Sequence, residues 1–177
     1  MNETFIKLNK KRFRRLLFLN LIPFIFCVLF VTMPKAFSSG LIKNSTIIIV
    51  IGILGVLFFG ITLIYVGRKL SNKNLGLSLS DEGLLDTTTA FRFGSVDWED
   101  ISGFRAMKIA RTQTIAVDLI NPDKYISRID SKVFTRASEQ NLKVYGTPVF
   151  INCDSLDMDN QQLLNLLTSE LEKRKKA

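Results

Sequence analysis

The sequence contains no histidine and only two cysteines among its 177 residues. Catalytic arrangements that use histidine as a general base, including the Ser-His-Asp and Cys-His types, are therefore excluded. Two separated thiols without histidine cannot supply the four ligands of a structural zinc site. Outside the long apolar segments there is no glycine-rich loop of the kind that holds phosphate. We therefore expect a protein that is not an enzyme, with no catalytic, cofactor-binding or metal-binding residues.

Charged residues are missing from two long apolar segments, residues 16–33 and 45–66. A helix needs about 20 residues to cross the hydrocarbon core of a bilayer, so each segment is long enough to span it. Ion conduction and coupled transport commonly use charged groups inside the membrane, and neither is indicated here. The sequence predicts a membrane-spanning helical hairpin with a short external loop over residues 34–44.

Acidic residues are almost absent from the first 73 residues, where eleven Lys and Arg face one Glu and give a net charge of +10. Residues 74–177 carry thirteen basic and fifteen acidic residues, a net charge of −2. A nucleic-acid partner is not expected, because the positive excess lies outside the soluble part. Basic residues stay on the cytoplasmic side, which places both termini, including the basic residues 1–15, in the cytoplasm at a bacterial inner membrane.

Basic residues next to a membrane span are also attracted to anionic lipid. The residues that we expect to contact lipid head groups are Lys10, Lys11, Arg12, Arg14, Arg15, Arg68 and Lys69. A competing interpretation treats residues 1–38 as a cleaved signal peptide, with Ala36 and Ser38 as the small residues before the cut. Its apolar stretch is longer than the usual 7–15 residues and is interrupted by Pro23. Both interpretations leave the C-terminal part in the cytoplasm.

Glycine is frequent in the second apolar segment, where Gly52 and Gly60 share a helix face. Small residues let membrane helices approach closely. One interpretation is a homo-oligomer that forms through this helix. The other is packing of the glycines against the first helix of the same hairpin.

After a linker over residues 67–74, the pattern changes to the alternation of apolar and polar residues that is typical of strands. Five short strands are predicted over residues 75–80, 84–89, 96–98, 104–109 and 112–120. One or two short helices over residues 124–145, a strand over 149–153 and a helix over 159–173 follow. These elements predict an α+β domain over residues 75–173, followed by a basic tail over 174–177. Its strands would form a small antiparallel barrel or curled sheet, capped by the C-terminal helix.

Four short segments of this domain carry a resemblance to a known family. They are Gly-Ser-Val-Asp-Trp-Glu-Asp-Ile at 94–101, Asn-Pro-Asp-Lys-Tyr-Ile at 121–126, Tyr-Gly-Thr-Pro at 145–148, and residues 151–156 with Ile151, Ser155 and Leu156. The first resembles the middle of bacterial pleckstrin-homology-like (PH-like) domains. Together the segments are similar to an uncharacterised bacterial family with two N-terminal transmembrane helices and such a domain. The resemblance implies a PH-like fold and brings no catalytic residues.

The resemblance also allows an expectation about inositol-phosphate binding. PH domains that grip inositol phosphates use Lys and Arg in their first hairpin loop, and the corresponding loop here is Asp81-Glu82-Gly83. We therefore expect no inositol-phosphate site at that loop. Trp98, the single tryptophan, is interpreted either as an anchor for a partner or as a core residue. Beside it, Asp100 is expected to cap a backbone turn.

These features predict a membrane-anchored, non-enzymatic binding or scaffold module that presents a PH-like domain to a cytoplasmic protein partner. The alternative is a structural or protective membrane protein, acting in envelope stress or bacteriocin immunity through its transmembrane helices. The glycine-bearing second helix is the feature that motivates this alternative.

Overall fold

The structure, a computed structural model, describes residues 3–38, 44–89, 91 and 93–175. It divides into two compact units. Residues Lys10–Lys73 form a helical unit, and Met1–Asn9 combine with Asn74–Ala177 in the other. The second unit is thus built from chain segments on both sides of the helical one. Residues 39–43 of the predicted external loop lie outside the described residues.

The helical unit contains α1 (Lys10–Thr32), a single turn α2 (Pro34–Phe37) and α3 (Ser45–Ser71). Helix α3 begins where the side chain of Asn44 accepts a hydrogen bond of 2.9 Å from the backbone N–H of Thr46, a typical N-cap. Both long helices extend into basic residues beyond the predicted apolar segments. Lys and Arg are good helix formers, and their long side chains can reach water from a helix end.

Helices α1 and α3 are both long and apolar enough to cross a membrane. Only 6% and 11% of their most apolar stretches are buried, whereas a core helix of a soluble protein is mostly buried. Phe58 and Ile61, for example, are 66% and 69% exposed. A helix that is apolar all round and uncovered by protein is what a membrane span requires.

The glycines in the first half of α3 lie in close contact with α1. A Cβ atom added to Gly52 would lie 2.8 Å from Cγ2 of Val31 and 2.9 Å from the carbonyl oxygen of Cys27. At Gly55 it would overlap the sulfur of Cys27. Gly60 has more room, because the nearest atom, in Phe24, would be 3.6 Å away. Gly52 and Gly55 therefore let the two helices of one hairpin approach each other, and self-association through α3 stays a prediction.

The first sheet of the other unit starts with a strand that the sequence analysis did not predict. Strands β1 (Thr4–Lys7), β2 (Gly76–Leu79), β3 (Gly83–Asp86) and β4 (Val96–Asp97) pair antiparallel in that order. In β1 and the residue after it, Ile6 and Leu8 are 4% and 3% exposed and alternate with the exposed Lys7. This alternation is the strand signal, although it lies within a segment predicted only as a basic N-terminus.

Backbone hydrogen bonds extend the attachment of β1 beyond the strand itself. The N–H of Leu8 donates to the carbonyl of Leu75 at 3.1 Å, and that of Asn9 donates to Ser155 at 2.8 Å. The N–H of Asp157 donates in turn to the carbonyl of Lys7 at 2.8 Å. The residues that immediately precede α1 are therefore fixed to the part of the chain that follows α3.

The second sheet contains β5 (Ile101–Ile109), β6 (Thr112–Leu119) and β7 (Phe150–Asn152), again antiparallel. Between β6 and β7 lie α4 (Pro122–Ile126) and α5 (Lys132–Tyr145), where one or two short helices are predicted. Helix α5 ends at Gly146, whose φ of +80° is the left-handed conformation that glycine adopts easily at a helix end. Helix α6 (Asn160–Lys175) closes the chain, and the carboxylate of Asp159 accepts from the N–H of Gln161.

The core lies among the two sheets and α6. Its fully buried side chains include Leu77, Leu79, Leu84, Ile101, Ile115, Ile151, Leu163 and Leu167. In the described part of the chain the strands form two separate antiparallel sheets rather than a closed barrel. The physical reason is the short 3₁₀ turn Trp98–Asp100, which follows the two-residue β4 and redirects the chain into β5. The α+β class and the terminal helix agree with the prediction, and the closed barrel does not.

The burial of Ile6 yields a test of the role of β1. We expect Ile6→Ala to lower the free energy of unfolding of this unit by about 2–5 kcal/mol, the usual cost of truncating a buried isoleucine. Denaturant unfolding followed by the fluorescence of Trp98, the single tryptophan in the same core, measures the change. Lys7→Ala is the control, because Lys7 is an exposed neighbour in the same strand. Equal effects of the two substitutions would show that β1 contributes no core packing.

The glycine contacts yield a second test, within one helix. We expect Gly52→Ala to destabilise the hairpin, because its methyl group would meet backbone as well as side-chain atoms of α1. Gly60→Ala should be neutral or stabilising, because the added methyl group has ordinary contact distances and alanine favours a helix by about 1 kcal/mol over glycine. Loss of helicity on titration with a denaturing detergent compares the two. The reverse order of stability would contradict this packing.

Candidate functional site

The 3₁₀ turn Trp98–Asp100 joins the two sheets and contacts side chains of both α4 and α6. Trp98 is 4% exposed, so the structure places it in the core. Its indole N–H donates to the carbonyl of Ser80 at 2.9 Å. Buried tryptophan normally satisfies its N–H in this way. The Trp98 ring is thereby held in one orientation between the first sheet and the start of the second.

Arg174, near the end of α6, covers the outer side of this ring. Its guanidinium carbon lies 4.6 Å from the centre of the Trp98 ring, a cation–π contact. The same guanidinium donates to the carboxylate of Glu170 at 2.5 Å and to the carbonyl of Ser80 at 3.2 Å. Hydrogen bonds from Lys173 and Arg174 hold the pKa of Glu170 below its usual range. Arg174 is therefore fixed as a positively charged rim above a buried aromatic ring.

A cleft of about 440 Å³ opens beside these residues, and we call it the Trp98 cleft. Ile120, the residue after β6, has an apolar side chain that is nevertheless 68% exposed. Lys175 closes one end by donating to the carbonyl of Ser102 at 3.1 Å. The residues that line the cleft are Trp98, Glu99, Ile101, Ser102, Ile120, Leu171, Arg174 and Lys175.

The chemistry of this lining suits binding. Ile120 supplies the exposed apolar surface, because Trp98, Ile101 and Leu171 are only 4%, 1% and 5% exposed. The rim carries both signs of charge, since it contains Lys175, the exposed Glu99, and Arg174 paired with Glu170. The hydroxyl of Ser102 donates to the carbonyl of Asp118 at 3.1 Å, so it is held by the backbone. An apolar side chain of a partner would complement the exposed Ile120. Among the described residues, no group of three or more His, Cys, Asp or Glu is placed to hold a metal ion.

A polar cluster on the other side of the turn holds the turn in place. Lys124, in α4, donates to Asp97 at 2.8 Å and to Asp100 at 2.6 Å. The hydroxyl of Tyr125 donates to the same Asp100 oxygen at 2.6 Å and accepts from the N–H of Asp97 at 3.1 Å. The expectation that Asp100 caps a backbone turn is wrong. Its carboxylate instead binds two side chains of α4, 24 and 25 residues away in sequence.

The protonation states of this cluster follow from its geometry. Hydrogen bonds from Lys124 and Tyr125 hold the pKa of Asp100 below its usual range. Burial of Tyr125, together with its hydrogen bond to the Asp100 carboxylate, raises the pKa of the phenol to about 12. The hydrogen bond to Asp100, with that to Asp97, also raises the pKa of Lys124. The charged carboxylate, the neutral phenol and the charged amine therefore stabilise one another at neutral pH.

Arg128 completes the cluster from the residues after α4. Its guanidinium carbon lies 4.6 Å from the centre of the Tyr125 ring, and it donates to the carbonyl of Ser95 at 2.8 Å. Tyr125 itself is fully buried. Every ionic group of this cluster is thus used inside the domain. The cluster therefore holds the turn in position, and the Trp98 cleft is the open surface next to it.

The predicted lipid-contacting residues lie at the two outer ends of the helical unit. Lys10, Lys11, Arg12, Arg14 and Arg15 occupy the first turns of α1, and Arg68 and Lys69 the last turn of α3. The amine of Lys69 lies 5.3 Å from the ring centre of Phe13 and 5.0 Å from that of Tyr65. The positive charge is therefore concentrated at the N-terminal end of α1 and at the C-terminal end of α3.

The sequence singles out Trp98 but not the residues that shape its cleft. Arg174 lies in the predicted basic tail, although its spacing of four residues from Glu170 is a helical ion-pair signal. Ile120 lies in a predicted strand, whereas β6 ends at Leu119 and Ile120 is the exposed residue that follows it. The contact of Lys124 and Tyr125 with Asp100 had no signal in the local pattern, because the partners belong to separate elements.

Comparison with known proteins adds no relative: no protein-family model, no curated protein and no solved structure matches this chain.

The polar cluster yields a test through pH. We expect Tyr125→Phe to lower the free energy of unfolding by about 1–3 kcal/mol, because the backbone N–H of Asp97 loses its buried acceptor. The phenol has a raised pKa in the folded state, so its stabilisation is present below pH 10 and is lost as pH rises from 10 through about 12. The difference between wild type and variant should therefore shrink over that range.

Denaturant unfolding at a series of pH values measures both quantities. Ser127→Ala serves as the control, since its exposed hydroxyl donates only to the carbonyl of Lys124 three residues earlier. A stability difference between wild type and Tyr125→Phe that stays constant up to pH 12 would contradict the hydrogen bond to Asp100.

Proposed function

We propose that this protein is a non-enzymatic, two-pass membrane protein that presents a binding domain to a cytoplasmic protein partner. The observation that carries the proposal is the Trp98 cleft, where the apolar side chain of Ile120 is strongly exposed beside the ordered contact of Trp98 with Arg174. Aromatic and aliphatic anchors in such clefts supply most of the affinity in protein interfaces. The rim holds Glu99 as well as Lys175 and Arg174, so apolar contact with Ile120 rather than charge is the basis of the proposed binding.

The pairing of β1 with β2 supports the proposed topology. A sheet cannot cross the hydrocarbon core with open edges, so residues before α1 and after α3 must lie on the same side of a membrane. Two crossings, by α1 and α3, satisfy this condition. The basic residues at the outer ends of both helices favour the cytoplasm of a bacterial inner membrane as that side.

The same strand supports a first helix that is retained in the mature protein. Cleavage after residue 38 would remove β1, and with it the buried Ile6 and Leu8. The fold would lose an edge strand and two core side chains, at a cost of several kcal/mol. The proposal therefore includes an uncleaved N-terminal segment.

A PH-like identity for the domain is part of the proposal. Its support is the succession of two antiparallel sheets and a C-terminal helix, together with the resemblance of residues 94–101, 121–126, 145–148 and 151–156. The loop Asp81-Glu82-Gly83 carries two exposed carboxylates, which would repel an inositol phosphate.

Photo-crosslinking in native membranes tests the proposal. A photoreactive phenylalanine derivative replaces Ile120 in the full chain, and in a control it replaces Val133, which is 75% exposed in α5. We expect a discrete adduct with one partner at position 120 and none at 133. We also expect Ile120→Arg to abolish co-purification of that partner, while Val133→Arg leaves it unchanged.

The other outcomes decide against the proposal in distinct ways. Equal adducts at both positions would show non-specific contact. An adduct of twice the mass of the chain would identify a second copy as the partner. A cellular phenotype that is lost with Gly52→Leu but is unaffected by Ile120→Arg would favour the alternative in which the helices act themselves.

A further inference from the structure

The outer face of the first sheet carries an apolar row that no other element of the described chain is shown to cover. Phe5 in β1 pairs with Ser78 in β2, and Ser78 pairs with Leu85 in β3, so the three side chains share one face. Phe5 is 42% and Leu85 is 37% exposed. The next row on this face contains Lys7 opposite Gly76.

The ring of Phe5 leans along the sheet rather than straight out from it. A Cβ atom at Gly76 would lie 2.7 Å from Cζ and 2.9 Å from Cε2 of Phe5. The ring therefore covers the backbone of Gly76 and points toward the end of the strands at which Lys7 lies. Glycine at position 76 is what allows this orientation.

That end of the sheet is the one from which both apolar helices continue. Helix α1 begins at Lys10, three residues after Lys7, and α3 ends at Ser71, five residues before Gly76. An extended chain covers at most about 3.6 Å per residue, so Phe5 lies within about 18 Å of Lys10. If α1 and α3 span a bilayer, this part of the sheet is held close to its surface.

The charge of the first sheet changes from positive, at the end near the helices, to negative at the opposite end. The end near the helices carries Lys7, followed by the five basic residues of the first turns of α1. The opposite end carries the exposed carboxylates of Glu3, Asp81 and Glu82. An anionic surface attracts the first end and repels the second, because each basic residue near such a surface gains about 1 kcal/mol.

We propose that the outer face of the first sheet binds an anionic lipid surface, with Phe5 and Leu85 in the interfacial layer and Lys7 on the head groups. The acidic end then tilts away from the lipid. This rests on the proposed membrane-spanning hairpin and goes beyond the proposed function, since it assigns a second surface, on a sheet that does not contain the Trp98 cleft.

Collision accessibility of a spin label tests the proposal on the full chain in lipid nanodiscs. Single variants place the label at Leu85→Cys, at Val133→Cys as an exposed apolar control, and at Ile61→Cys as a control for the hairpin. Both native cysteines are buried, so the unsubstituted chain measures background labelling. Oxygen reports contact with lipid, and a water-soluble nickel chelate reports contact with water, in discs of phosphatidylcholine with or without phosphatidylglycerol.

We expect the label at 61 to be lipid-exposed in both discs and the label at 133 to be water-exposed in both. The label at 85 should be lipid-exposed only in the anionic discs. Adding Lys7→Gln should reduce its equilibrium constant for lipid contact about fivefold, the effect of one basic residue.

Each remaining outcome overturns the proposal at a defined point. A water-exposed label at 85 in anionic discs, with the label at 61 in lipid, shows that the hairpin inserts but the sheet does not bind. A label at 85 that is shielded from both reagents identifies a protein contact instead. Equal lipid exposure of the label at 85 in both discs would show that charge does not drive the contact. A water-exposed label at 61 would show that the hairpin does not span the bilayer.

Discussion

The pairing of β1 with β2 is the constraint on which the rest of the structure depends. It brings residues that precede the helical unit into the same sheet as residues that follow it. Because backbone hydrogen bonds fix the register, Lys7 lies opposite Gly76 and Ile6 opposite Leu77. The helical unit is therefore an insertion within a continuous folded domain.

The two surfaces that we assign lie on different parts of the domain. The Trp98 cleft is formed by the 3₁₀ turn after β4, the start of β5 and the end of α6. The row of Phe5 and Leu85 lies on the outer face of the first sheet. The Lys124–Asp100–Tyr125 cluster fixes the turn between the sheets and so keeps the orientation of Trp98 constant. Binding at the cleft would leave the outer face of the sheet uncovered.

Much of this fold could be predicted from the sequence, because its signals are local. The alternation over residues 75–80 and 112–120 corresponds to β2 and β6, and the leucine stripe of residues 163–171 corresponds to the buried side of α6. Strand β1 was missed because four residues beside a cluster of basic side chains give a weak pattern. The cleft depends on contacts between Trp98 and Arg174, which are 76 positions apart, and periodicity carries no information about such pairs.

The insertion of a helical hairpin between paired strands has a consequence for synthesis of the protein. Strand β1 leaves the ribosome first, but its partner β2 begins 69 residues after β1 ends. At about 5–20 residues per second, β1 waits for several seconds while both helices are made. If the helices enter a bilayer, β1 can pair only when the second crossing has brought the chain back to its own side. A chain in which only one of the two helices crosses the bilayer would hold β1 and β2 on opposite sides, and its first sheet could not form.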